Sequence, residues 1–133
     1  MVRQSITPPG LTAPIAPYSW ATKVDNLVFV AGQAALDAAG QLVGEGDIRA
    51  QTEQTLENIK LTLEAAGASL AEIVKTTIYL TDVANYDGMN EVYRRYFPVD
   101  PPARATLLTG LVVKGLLVEI EAIAMITAES GSS

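Results

Sequence analysis

Between Leu117 and Ile126 the chain reads LVEIEAIAMI, and this alternation constrains the fold more than any other stretch. Period two puts Val118, Ile120, Ala122, Ala124 and Ile126 on one face of a strand and Leu117, Glu119, Glu121, Ile123 and Met125 on the other. The second face sets two carboxylates among large apolar neighbours, where an uncompensated charge is costly to bury. Such a face needs a cation, hydrogen-bond donors, water or a subunit boundary. Upstream, Pro101 and Pro102 hold the chain extended as it approaches Arg104 and the run Ala105 to Leu108.

The rest of the chain supplies layers for that strand to join. Residues 2 to 7 predict a short edge strand, followed by a proline-rich loop that reaches Tyr18, Ser19 and Trp20. Tyr18 to Lys23 and Leu27 to Ala31 predict two strands turned by Asp25-Asn26, residues that tolerate the positive φ of a tight hairpin. Gly32-Gln33 interrupts the second strand, marking either a plain bulge or a close approach to the backbone. Asp47 predicts the cap of a helix from Ile48 to about Ala66, with Leu56, Ile59, Leu63 and Ala66 as its apolar stripe and Gly67 as its stop. Arg49 with Glu53, and Lys60 with Glu64, have the four-residue spacing of solvated helix pairs.

Glu72 to Thr81 alternates Val74, Thr76, Ile78 and Leu80 against Ile73, Lys75, Thr77 and Tyr79; with apolar groups on both faces it predicts a central strand. A second helix from about Asn85 to Phe97 buries Met89, Val92, Tyr93, Tyr96 and Phe97. Asn90 sits beside that stripe, either facing solvent or reaching across a cleft. Arg104 to Thr109 and Leu117 to Ile126 complete the order β-β-β-α-β-α-β-β: an α+β domain over residues 1–128, helices on one face of a mixed sheet, and a flexible tail at 129–133.

Composition narrows the chemistry. The chain has 133 residues, a net charge of −6, and nine Lys and Arg that are scattered rather than clustered, so it presents no basic stripe for nucleic acid. With 49% hydrophobic and only 18% charged residues it is short of polar surface, which favours oligomerisation. The absence of Cys and His removes thiolate and imidazole chemistry, disulfides and most zinc sites, and two glutamates fall short of a calcium shell. No signal or membrane-spanning run is evident, and a cytoplasmic protein without a metal site is the expectation. Arg104 is the best anion anchor, its planar guanidinium able to grip a carboxylate by two parallel hydrogen bonds; the alternative is an ion pair with Glu119 or Glu121. Glu119, its pKa raised by apolar neighbours, can act on water as a base.

The motifs API-APY at Ala13 to Tyr18, AGQ at Ala31 to Gln33, IVKTTIYLTD at Ile73 to Asp82, MNEVYRRYF at Met89 to Phe97, PAR at Pro102 to Arg104 and VEIEAIA at Val118 to Ala124 resemble the Rid (YjgF/RidA) enamine/imine deaminase family over nearly the whole chain. The resemblance implies a chorismate-mutase-like fold and a homotrimer with clefts at subunit boundaries. It also implies cofactor-independent hydrolysis of enamines or imines, such as 2-aminoacrylate, to 2-keto acids and ammonia. By position, Arg104 matches the arginine that holds the substrate carboxylate and Glu119 the glutamate that helps hold the attacking water. Tyr18, Gly32 and Asn90 match cleft-lining positions, and Glu121 a second acid expected at the subunit contact.

Ala31 stands where family members of this type usually carry Ser, Thr106 where they often carry Cys, and Val112-Val113 near a usual Leu-Pro. Ala31 and Thr106 therefore join the expected substrate-binding positions as those that bear on substrate range. Beside a small-imine deaminase the sequence leaves two other readings: a deaminase for a larger, aminomuconate-type enamine, and a non-catalytic trimeric binder of small carboxylates.

Overall fold

The computed structural model describes residues 2–127, so the tail expected at 129–133 lies outside the described residues. Six strands form one sheet: β1 (Gln4–Ile6), β2 (Ala21–Val24), β3 (Leu27–Ala34), β4 (Ile73–Leu80), β5 (Ala103–Leu108) and β6 (Val118–Met125), in the spatial order β1-β2-β3-β6-β4-β5. Only β4 and β5 run parallel; the other neighbours are antiparallel. The parallel pair requires a crossover, and α2 (Tyr86–Tyr96) provides it. The predicted element order is reproduced, with β4 and β6 inside the sheet and β5 at its edge.

Helix α1 (Ile48–Ala65) and α2 cover one face. Asp47 caps α1 by accepting the Ala50 N–H at 3.1 Å, and Gly67 ends it at φ 84°. The α1 stripe of Leu56, Ile59 and Leu63 meets Val28, Val118, Ile120 and Ala124 of β3 and β6 in one core. From α2, Met89 and Tyr93 join it, with Phe97 just past the helix end, and the Tyr93 hydroxyl shares a 2.7 Å hydrogen bond with Thr76 of β4.

Some local expectations change, and among the described residues Lys60 forms no ion pair with Glu64. Arg49 does not pair along its own helix with Glu53; it reaches across to Glu91 of α2 at 3.0 Å, and Glu91 also holds Arg95. The lateral carboxylate lies where two helices already meet, so Arg49 bridges them. In β4, a register shift between Ile73 and Lys75 turns Ile73 into the core and leaves Val74 exposed, the reverse of strict alternation.

The other sheet face is left bare by the described residues. Phe29 and Met125 are exposed there beside Lys75, Thr77, Glu121 and Ile123, several of which line a cavity of about 290 Å³. This is the mixed carboxylate and apolar face read from the alternation of residues 117 to 126.

Candidate functional site

Arg104 and Glu119 belong to different faces of the sheet. Arg104 is level with Thr76 on β4 and with Ala122 beyond it on β6, both buried under the helices. Glu119 pairs with Tyr79 on β4 and Ala34 on β3, on the bare face. Glu119 and Ala122 are three residues apart, about 10 Å along the strand at ~3.3 Å per residue, and β5 lies two strand spacings, about 9.6 Å, from β6. Within one chain the two candidate residues therefore lie in separate places, two candidate half-sites rather than one cleft.

The first half-site is built on β5 and α2. The Arg104 side chain lies over the Tyr93 ring at 5.0 Å and near the Tyr86 ring at 5.7 Å. Its Nε–H donates to Thr106 Oγ1 at 2.9 Å and its Nη2 to the Tyr86 hydroxyl at 3.3 Å. Among the described residues it forms no ion pair, so the expected alternative of a bridge to Glu119 or Glu121 is not realised within the chain. Aromatic rings and a hydroxyl fix its direction without neutralising it, which suits capture of an external anion. Asn90 lies one helical turn beyond Tyr86, half-buried, and its amide has no hydrogen-bond partner among the described residues.

The second half-site is built on β3 and β6. The register slips by one residue between Val30 and Gln33, so Ala31-Gly32 forms a bulge against β6. Gly32 is both bulge and close approach: a β-carbon there would overlap Glu119 Oε2. The glycine thus admits the carboxylate against the strand backbone. Burial, with a smaller contribution from the Glu121 charge, raises the Glu119 pKa above the ordinary glutamate value of 4.5. Ala31 N–H donates to Trp20 O at 3.0 Å, and Trp20 stacks edge-on with Tyr18 at 6.0 Å, which brings the exposed Tyr18 to this same end of the sheet.

The six expected substrate-binding positions therefore divide: Arg104, Thr106 and Asn90 in the first half-site, Tyr18, Ala31 and Gly32 with Glu119 in the second. Tyr86 and Tyr93, which orient Arg104, were not among the expected site residues. Tyr93 reads as one more member of an apolar stripe, and Tyr86 stands at a helix start with no pattern of its own. Gln33 Nε2, buried just beyond the bulge, has no hydrogen-bond partner among the described residues, and nothing in the fold accounts for it. Among the described residues no group of three or more acidic, Cys or His side chains is placed to hold a metal, and no helix is long and apolar enough to cross a membrane.

Two helices on one face of a six-stranded mixed sheet, with a bulged inner strand beside a glutamate and an arginine on the parallel edge, define a YjgF-type α+β protein. The chain belongs to the YjgF/RidA family: the family described as Endoribonuclease L-PSP matches residues 10–126. A RutC family protein of Pyrococcus abyssi is 45% identical over 124 residues, covering 93% of this chain and 98% of that one. RidA from the Antarctic bacterium Psychrobacter sp. PAMC 21119 superposes with a TM-score of 0.85 at 39% identity, covering 92% and 99% of the two chains. E. coli TdcF with bound serine superposes with a TM-score of 0.85 at 30% identity, covering 93% and 99%.

Proposed function

We propose that this protein is a deaminase that hydrolyses small 2-imino acids and their enamines to 2-keto acids and ammonia, in clefts where two copies of a homotrimer meet. The observation that carries the reading is the division of the site: an unneutralised Arg104 on one face and a carboxyl of raised pKa, Glu119, on the other. A neighbouring copy laid against the bare face would join the Arg104 side of one chain to the Glu119 side of the next. That face is half apolar and carries Glu121, which suits a role at the contact.

In this cleft Arg104 holds the substrate carboxylate, Thr106 and Tyr86 keep the guanidinium aimed, and the Glu119 carboxylate orients a water toward the imine carbon. Once the imine nitrogen is protonated that carbon is electrophilic, and addition of water gives a carbinolamine. Proton transfer to nitrogen and loss of ammonia then leave the keto acid. Fixing water beside a clamped electrophile supplies much of the acceleration, since orientation alone is worth up to roughly 7–11 kcal/mol. Ala31 leaves space beside the bulge but offers no hydroxyl. The family description includes ribonuclease, but the chain has no imidazole and its nine Lys and Arg are scattered rather than clustered, which does not favour that chemistry.

The test is to release imino acids in situ with a serine or threonine dehydratase and follow keto-acid formation. The protein is expected to accelerate it, and Arg104→Ala to lose about 100-fold or more in kcat/KM, the scale of a buried charge-assisted clamp. No acceleration over buffer, or equal acceleration by the variant, contradicts the reading.

A further inference from the structure

Beside Arg104 lies a second cavity of about 290 Å³, lined by Leu80, Val83, Tyr86, Thr106, Leu107 and Leu108. Its floor is an aliphatic side chain of β4, and its walls come from β5 and the turn that leads into α2. Val83, Leu107 and Leu108 are exposed at 66%, 46% and 58%, an unusual concentration of bare apolar surface at one place. Two of the lining residues, Tyr86 and Thr106, are also the ones that hold the guanidinium. Because they engage Nε and one hydrogen of Nη2, the Nη1 end of Arg104 is left without a partner among the described residues. A carboxylate received there has the apolar groove next to it.

We propose that this groove takes the aliphatic side chain of the 2-imino acid whose carboxylate Arg104 holds, so that substrates with branched or longer apolar chains are preferred over the smallest ones, and that Tyr86 and Val83 set the preference. The inference rests on the reading of Arg104 as a carboxylate clamp. Tyr86 has a double part: its hydroxyl aims the guanidinium and its ring forms one wall. Val83 acts only as wall, since it touches neither Arg104 nor the half-site of Glu119 by any hydrogen bond or ring contact.

The stable 2-keto acids serve as probes, titrated calorimetrically against the assembled full chain: pyruvate for the smallest side chain and 4-methyl-2-oxopentanoate for a branched one. The branched acid is expected to bind at least about tenfold more tightly, the usual worth of a few added methylenes in an apolar pocket. Val83→Trp, at a position exposed enough to spare the core, is expected to bring the ratio of the two affinities toward one by filling the groove; Val83→Phe provides the same reading with a smaller insertion. Tyr86→Phe keeps the wall and removes the hydroxyl, so both acids should weaken by a similar factor and the ratio should persist.

Equal affinities in the wild type, an unchanged ratio in a folded Val83→Trp or Val83→Phe, or no binding of either acid overturns the groove. Imine turnover that is equally fast for small and branched substrates also removes the groove and leaves the deaminase standing. Discrimination between keto acids without any imine turnover does the reverse.

Discussion

Glu119 is held in a position that makes its proton affinity a readable quantity. Gly32 lets its carboxylate lie against the backbone, burial raises its pKa first, and the charge of Glu121 two residues along the same face raises it further. Tyr79 of β4 faces both acids and contributes no charge at neutral pH. A water-orienting carboxylate must be ionised, so the acid limb of kcat/KM is expected above the ordinary glutamate value of 4.5. Removing a like charge lowers the pKa of the group it opposed. Glu121→Gln should therefore move that limb to lower pH, and a limb that stays in place would show that Glu119 does not govern it. At this scale the sequence was informative about chemistry and silent about company. Arg104 and Glu119 stood out as a cation and an acid in apolar surroundings, but whether they pair depends on which sheet face each takes, and their separate strands cannot reveal that. The aromatic support of Arg104 was hidden because Tyr93 looks like any buried helix residue until the Thr76 hydroxyl and the guanidinium are placed around it.

Among the elements, regular alternation and helical spacing were easy to read, and interruptions were not. The α1 stripe and its Asp47 cap follow from sequence because they rest on local spacing alone. The bulge at Val74 escaped notice because a β-branched residue fits either face of a strand, and only the partner strand fixes the register. Gly88 shows the same dependence on a neighbour. A methyl there would sit 2.7 Å from Ile48 Cγ2 of α1, and Ile48 is itself buried. Alanine in place of glycine gains about 1 kcal/mol of helix propensity, but forcing two packed helices apart costs roughly 1–3 kcal/mol. The packing term is expected to win. Gly88→Ala should lose about 1 kcal/mol in urea unfolding, whereas a gain in stability would mean that α1 and α2 separate freely.

For the whole molecule, the low charge content and the half-apolar face of β6 already pointed to a partner surface, and the described residues leave that face uncovered with Phe29 and Met125 exposed. The sequence could not say that Arg104 and Glu119 lie on opposite sides of the sheet. If the two act on one substrate, as proposed, assembly becomes a condition of activity, because no motion within one sheet carries Arg104 through it to Glu119. In a cyclic trimer each subunit uses two different surfaces, so each cleft of the proposed assembly would draw one half from each neighbour. Subunit mixing tests this most directly. Arg104→Ala and Glu119→Gln are each prepared, found inactive in imine hydrolysis, then unfolded together and reassembled in equal amounts. Random mixing restores a complete pair in about one cleft in four, so activity should return to about a quarter of the wild-type value. A mixture as inactive as its components would contradict the account, since it would mean that Arg104 and Glu119 must belong to the same chain.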